Sequence, residues 1–275
     1  MKLLSLVKNS NHAECKAGPK LRQRFQLECL DIGAFANYRA GMKFMSAFFI
    51  GFLLASSASA APLIEPHMHI KPSREHDGKV VALTFDACTG KVDERILQVL
   101  IDHKIRSTIF VTARWLRRNP QAIAEIKAHP ELFEIENHGA KHLPAVDVPM
   151  DVFGIKAAGS PQAVKDEVEN GAAAVKTTFG YNPIWYRGAA AQYNQSAITL
   201  ITKMNFKLAG FSLSGDGGAS FSEGRAANTI STAKSGDVII AHINQPLKPA
   251  GAGVVEGMLK LQSEGFVFLK LNEAF

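Results

Sequence analysis

The sequence predicts an α/β fold, a βα-barrel of seven strands that need not close completely. Three observations carry this. Short runs rich in Val, Ile, Leu and Phe recur along the chain, as expected of strands buried on both faces of a parallel sheet. Helical stretches separate them, as parallel crossovers require. Charged and titratable residues then fall just past several strands, where a βα-barrel builds its working rim.

The strands read as Val80–Phe85, Ser107–Val111, Leu132–Ile135, Ile184–Tyr186, Lys207–Ser212, Asp237–Ala241 and Phe266–Leu271. A helix is predicted from Ser160, with Pro161 at its first position, to about Thr178. Others are predicted near Asp93–His103, Gln121–His129, Asn194–Met204 and Gly253–Glu264. Residues 61–78 lack periodicity and read as an irregular lead-in. Residues 79–275 read as a single catalytic domain of ordinary size.

The formal net charge of +6 suggests nucleic acid until it is located. Residues 1–60 hold eight Lys/Arg and three Asp/Glu, leaving 23 basic and 22 acidic residues for the rest. The basic balance belongs to the leading segment, and without a basic stripe on the domain a nucleic-acid partner is excluded. Lys43 precedes an apolar run from Phe44 to Ala55, which Ala58-Ser59-Ala60 follows. This is the pattern of an export signal at 42–60 cut before Ala61, and the run is too short for a membrane span. Residues 1–41 read as an upstream extension, consistent with a misplaced start. The expected location is therefore periplasmic or secreted, with no stable membrane insertion after cleavage. Of the three cysteines, Cys15 and Cys29 lie upstream of the cut, so the mature domain keeps only Cys88 and has no internal disulfide.

The rim residues suggest chemistry. Asp86 directly follows the first strand, His138 and His142 the third, Arg187 the fourth, Asp216 the fifth and His242 the sixth. His138-Gly-Ala-Lys-His142 can turn two imidazoles toward one ion, which suits zinc and other first-row metals. A carboxylate at the end of an apolar strand, as at Asp86, suits a general base. Arg187 either orients Asp86 or binds substrate. His242 suits a general acid, and Asp216 either holds its tautomer or forms a turn.

These residues, in this order, resemble the NodB-like polysaccharide deacetylases, carbohydrate esterase family four, over Lys79 to Leu271. Thr84-Phe85-Asp86-Ala87-Cys88 corresponds to the first family motif, Asn137-His138-Gly139-Ala140-Lys141-His142 to the second, Arg187 to the third, and Asp216 and His242 to the fourth and fifth. The resemblance implies a distorted (β/α)7 barrel acting on a polysaccharide. It also implies a divalent metal on His138 and His142, zinc first, with cobalt, nickel or manganese as alternatives. Asp86 would be the base and His242 the acid, with Arg187 and Asp216 completing the catalytic set. The expected reaction is removal of N-acetyl groups from an envelope or cell-wall glycan. The alternatives are O-acetyl ester or other amide hydrolysis, and an inactive glycan-binding relative. The family's second aspartate, a metal ligand, is Ala87 here. Asp93 and Cys88 are the possible substitutes, although they read first as a helix cap and a small buried residue.

If the leader is processed as read, N-terminal sequencing of the exported protein returns Ala61 as the first residue; an intact Met1 there overturns the reading.

Overall fold

The computed structural model describes residues 62–71 and 78–275. The upstream segment 1–41, the leader 42–60 and the cleavage point lie outside the described residues. The chain order is β1 (Val80–Ala87), α1 (Glu94–Asp102), β2 (Ser107–Val111), α2 (Ala113–Arg118), α3 (Pro120–Ala128) and β3 (Phe133–Asn137). A hairpin follows, β4 (Asp151–Val152) and β5 (Ile155–Lys156), then α4 (Pro161–Phe179), β6 (Trp185–Tyr186), α5 (Gln195–Lys203), β7 (Lys207–Leu208) and β8 (Leu213–Ser214). The remainder is α6 (Glu223–Ser231), β9 (Val238–His242), α7 (Ala250–Ser263), β10 (Val267–Leu269) and α8 (Leu271–Ala274).

The main sheet runs β7-β6-β3-β2-β1-β9-β8, with β10 against the first half of β1, and its pairings are parallel. It curls into a barrel that stays open between β7 and β8, so the expected distorted barrel is the observed one. The predicted fifth strand, Lys207–Ser212, is divided between these two edges. Its first residues pair with β6, whereas β8 begins one residue past its end and pairs with β9. The lead-in occupies the gap. Phe211 N–H donates to the Pro66 carbonyl and Met68 N–H to the Phe211 carbonyl, both at 3.3 Å. Gly210 is required there, because a Cβ would fall 1.9 Å from the Pro66 carbonyl oxygen. The expected irregular lead-in is thus pinned by isolated bridges at Ile64, His67 and His69.

Strand alternation sorts the core into layers. From β1, Val81, Leu83, Phe85 and Ala87 point outward and pack with Ile96, Leu97, Leu100 and Met258 beneath the helices. Val80 and Ala82 point into the barrel with Phe110, Trp185, Val238 and Leu271. Truncating an outward residue such as Leu83 would cost about 2–5 kcal/mol. Helix ends follow from side-chain chemistry. Asp93 caps α1, Ser160 caps α4 with Pro161 behind it, and Gly180 ends α4 at φ 87. Asp93 thereby takes the capping role expected of it. Among the described residues, no helix is long and apolar enough to cross a membrane.

The barrel floor is closed by polar side chains. Glu134 and Thr108 accept from the Asn272 and Leu271 amides at the start of α8. Glu136 accepts from the amides of Ile184 and Trp185 at 2.9 and 2.8 Å, tying β6 to β3 where backbone pairing is short. Burial outweighs these hydrogen bonds and lifts Glu136 from 4.5 to about 8. Folding therefore favours the protonated acid, so its contribution is full below 4.5 and is lost as pH rises through about 8. Wild type should lose stability between pH about 5 and about 9 relative to Glu136→Gln, which stays neutral; parallel urea denaturation at the two pH values reads the difference.

Candidate active site

Asp86 lies near the end of β1 on the inward face it shares with Thr84. Arg187, just past β6, is fully buried against both. Its Nη1 donates to Asp86 Oδ1 and to Thr84 Oγ1, each at 3.0 Å, and its Nη2 donates to the Gly210 carbonyl at 2.9 Å. The guanidinium stacks 4.3 Å from the centroid of the Phe110 ring. Burial works to raise the pKa of Asp86, but the positive fields of His138, Arg187 and His242 outweigh it and hold the carboxyl below its usual range.

His138 and His142 sit on a loop after β3, not on a helical turn. His138 N–H donates to the Val111 carbonyl, and Nδ1 lies 2.6 Å from the Arg187 carbonyl. A carbonyl can only accept, so Nδ1 is the donor and Nε2 faces inward. Nε2 is 3.6 Å from both Cys88 Sγ and Asp86 Oδ2. Burial disfavours the imidazolium, yet Asp86, Cys88 and the Arg187 carbonyl outweigh it and raise His138 to about 9. The spot favours positive charge, which a proton or a metal ion supplies. His142 adopts φ 65, a strained backbone for a non-glycine residue. Glu167 holds it there by accepting from Lys141 N–H at 2.8 Å and Leu143 N–H at 3.1 Å. Gly139 and Gly171 let the loop lie directly on α4. A Cβ on Gly139 would meet Glu167 Oε1 at 2.5 Å, and one on Gly171 would meet Asn137 Oδ1 at 2.2 Å.

His242 closes the opposite side. Its Nδ1 lies 3.0 and 3.1 Å from the two oxygens of Asp216, and its backbone N–H donates to Asp216 Oδ2 at 2.7 Å. Nδ1 is again the donor, and Nε2 is left for the cleft. Burial lowers the affinity of His242 for a proton, but Asp216 and Cys88 outweigh it and hold the imidazole well above its ordinary range. Burial works to raise the Cys88 thiol, but the hydrogen bond with His138 and the neighbouring imidazoles of His142 and His242 outweigh it and bring the thiol well below its ordinary range.

Asp86, Cys88, His142 and His242 open on a cleft of about 570 Å³. Glu65 of the lead-in lines it, as does Phe153 at the tip of the β4–β5 hairpin. Phe153 and Gly154 both have positive φ, 49 and 78, as the two-residue turn of a hairpin requires. The first of these positions normally takes Asn, Asp or Gly; here it carries an aromatic ring that is 81% exposed. Within the described residues, the titratable group close enough to share an ion is Cys88, His138 and His142, whose ligand atoms lie within 4.8 Å of one another.

This arrangement has known counterparts. A family model described as polysaccharide deacetylase matches residues 73–209. The chain belongs to the polysaccharide deacetylase family. A curated relative, the bifunctional xylanase/deacetylase of Pseudobutyrivibrio xylanivorans, is 23% identical over 201 residues. That match covers 72% of this chain but spans only 30% of the relative's length. Among solved structures, the peptidoglycan deacetylase PdaC of Bacillus subtilis is 20% identical with a TM-score of 0.58, over 72% of this chain and 90% of that one. PdaA of the same organism, a family 4 carbohydrate esterase, gives 15% identity and a TM-score of 0.60 over 76% and 84%. A CE4 family pseudoenzyme of Bacillus anthracis gives 15% identity and a TM-score of 0.59 over 77% and 69%. These likenesses establish the shared fold.

In this polysaccharide deacetylase family member, the six residues singled out from the sequence all reach one rim. Asp86 pairs with Arg187, Asp216 with His242, and His138 with His142, their rings 5.1 Å apart. Asp93 is committed to capping α1 and to Arg95, at 2.6 Å. Cys88, read as a small buried residue, is buried but lines the cleft, because two steps along the strand from Asp86 restore the inward face. Glu167 was not foreseen. Its signal is an acid on the apolar face of α4, in line with Val164, Val168, Gly171 and Val175. Ala87 points outward into the helix layer, so a carboxylate restored there would enter the apolar core cluster that Ala87 belongs to. Ala87→Asp is expected to destabilise the fold by on the order of 3 kcal/mol in urea denaturation, without strengthening metal binding.

Proposed function

We propose that the protein is a metal-dependent hydrolase that removes N-acetyl groups from an exported glycan of the envelope or cell wall. The observation that carries this reading is the placement of a carboxylate and an imidazole, each held by its own buried partner, side by side on β1 and β9 at a cleft whose wall includes a metal-capable Cys/His cluster. When bound, a divalent ion would polarise the acetyl carbonyl and lower the pKa of water. His138 and His142 would hold it.

Asp86, ionised and fixed by Arg187, takes a proton from the attacking water. His242, fixed by Asp216 through Nδ1, donates from Nε2 to the departing amine. Atoms balance: water adds across the amide C–N bond, giving acetate and a free amino sugar. Phe153 offers an apolar face at the cleft mouth against which a sugar ring can lie. Export, read from residues 42–60, would bring the enzyme to such a substrate.

A second reading, a glycan-binding protein without activity, draws on Ala87 and on the pseudoenzyme among the fold relatives. Acetate release separates the two. Wild type should release acetate from N-acetylated peptidoglycan or chitin fragments in preference to O-acetylated glycans. Asp86→Asn should lower kcat by ~10²–10⁴-fold with the fold intact by circular dichroism. Absence of acetate release by metal-loaded wild type from any of these glycans, with binding retained, favours the second reading.

A further inference from the structure

We propose that Cys88 is the third protein ligand of this metal site, replacing the missing carboxylate with a thiolate and biasing the site toward zinc. The proposal rests on the metal-dependent reading above and deepens it.

The strand supplies the placement. Thr84, Asp86 and Cys88 share the inward face of β1 and the residue beyond it, whereas Ala87 is turned into the helix layer. The residue occupying the carboxylate's place on the cleft wall is therefore the next one along. The distances fit. Ligand atoms in a tetrahedral zinc site with one sulfur lie about 3.5 Å apart, given typical Zn–S and Zn–N lengths. Cys88 Sγ and His138 Nε2 are 3.6 Å apart, and His142 completes a trio within 4.8 Å.

The hydrogen-bond accounting points the same way. His138 spends its Nδ1 proton on the Arg187 carbonyl. Its Nε2 then converges with Sγ and with Asp86 Oδ2, each 3.6 Å away, so three groups that favour a positive charge, whether a proton or a metal ion, meet at one point. The backbones are fixed in advance. The Thr112 hydroxyl donates to the Cys88 carbonyl, and Glu167 holds His142 in its strained conformation. Cys88 is a free, buried thiol. One thiolate carries the same charge as the lost carboxylate, so a His₂Cys set balances a divalent ion as a His₂Asp set does. It leaves a position open for substrate. Softer sulfur moves preference from manganese toward zinc.

The test uses the full chain, stripped by chelation and titrated with cobalt(II) and with zinc. Wild type should develop a thiolate-to-cobalt charge-transfer band in the near ultraviolet that saturates at one equivalent. Cys88→Ser should lack the band and bind zinc roughly 10-fold or more weakly, with unchanged circular dichroism. Cys88→Asp should bind without the band and shift preference toward manganese. Bound zinc should shield Cys88 from iodoacetamide, read by peptide mass spectrometry, which distinguishes it from Cys15 and Cys29. Stoichiometric cobalt binding with no such band, or an unprotected Cys88, overturns the thiolate ligand and leaves the metal-dependent reading intact. Failure of wild type to bind either ion overturns both.

Discussion

A guanidinium with no solvent exposure is costly to bury, and Arg187 is tolerable only because its surroundings meet it at every face. Asp86 and Thr84 accept from one nitrogen, Gly210 from another, and Phe110 covers the plane. These partners come from β1, β2 and the segment between β7 and β8. One side chain thus ties the first strand to the edge where the barrel fails to close. Truncating the charged partner outright, as in Asp86→Ala, would leave a buried guanidinium uncompensated, at a cost of about 3–5 kcal/mol. The same contacts hold the Asp86 carboxylate in place, and the Arg187 carbonyl sets the orientation of His138. Fold closure and the geometry of the site share one interaction.

Around that centre, the loop from Asn137 to Leu143 is shaped from behind. Its histidines face the cleft, but their positions depend on α4, where Glu167 accepts two loop amides and Gly171 admits the loop backbone. Asn137 adds a bond to the Val168 carbonyl and accepts from Gly139 N–H. The strain at His142 is sustained by these bonds. On the other side, Asp216 serves His242 in a similar way, through both its ring nitrogen and its backbone amide. The inward-facing nitrogens of His138 and His242 are each aimed by a bond on the far side of the ring, so this part of the cleft is organised before any substrate enters.

Membership in the polysaccharide deacetylase family explains the barrel and the order of the motifs, but the departure at Ala87 changes how the first motif is used. β1 runs through Ala87, so the alanine is part of the helix-facing core and the cysteine faces the histidines. The fold relatives include both deacetylases and a pseudoenzyme, so the barrel alone does not decide activity.

Much was legible in the sequence because it is local. Apolar runs of strand length, the Ser160-Pro161 start of α4 and the charged or titratable residues after five of the strands follow from propensity, capping and chain direction. Family motifs added the order of the rim residues. What the sequence left open needed through-space information. The division of the fifth predicted strand depends on the lead-in filling a gap, which no window of residues reveals. α2 is six residues long, too short for periodicity to show. The hairpin at 151–156 has two-residue strands, below any alternation signal. The choice between Asp93 and Cys88 was ambiguous by type alone. The tertiary structure separates them: Asp93 is engaged with the Arg95 side chain and amide, whereas the pleat of β1 turns the Cys88 thiol toward the two imidazoles, which is the placement the thiolate proposal rests on. The sequence alone determined which chemical groups stand at the rim. The tertiary structure decided which of them face one another, because that depends on contacts between residues from 26 to about a hundred positions apart.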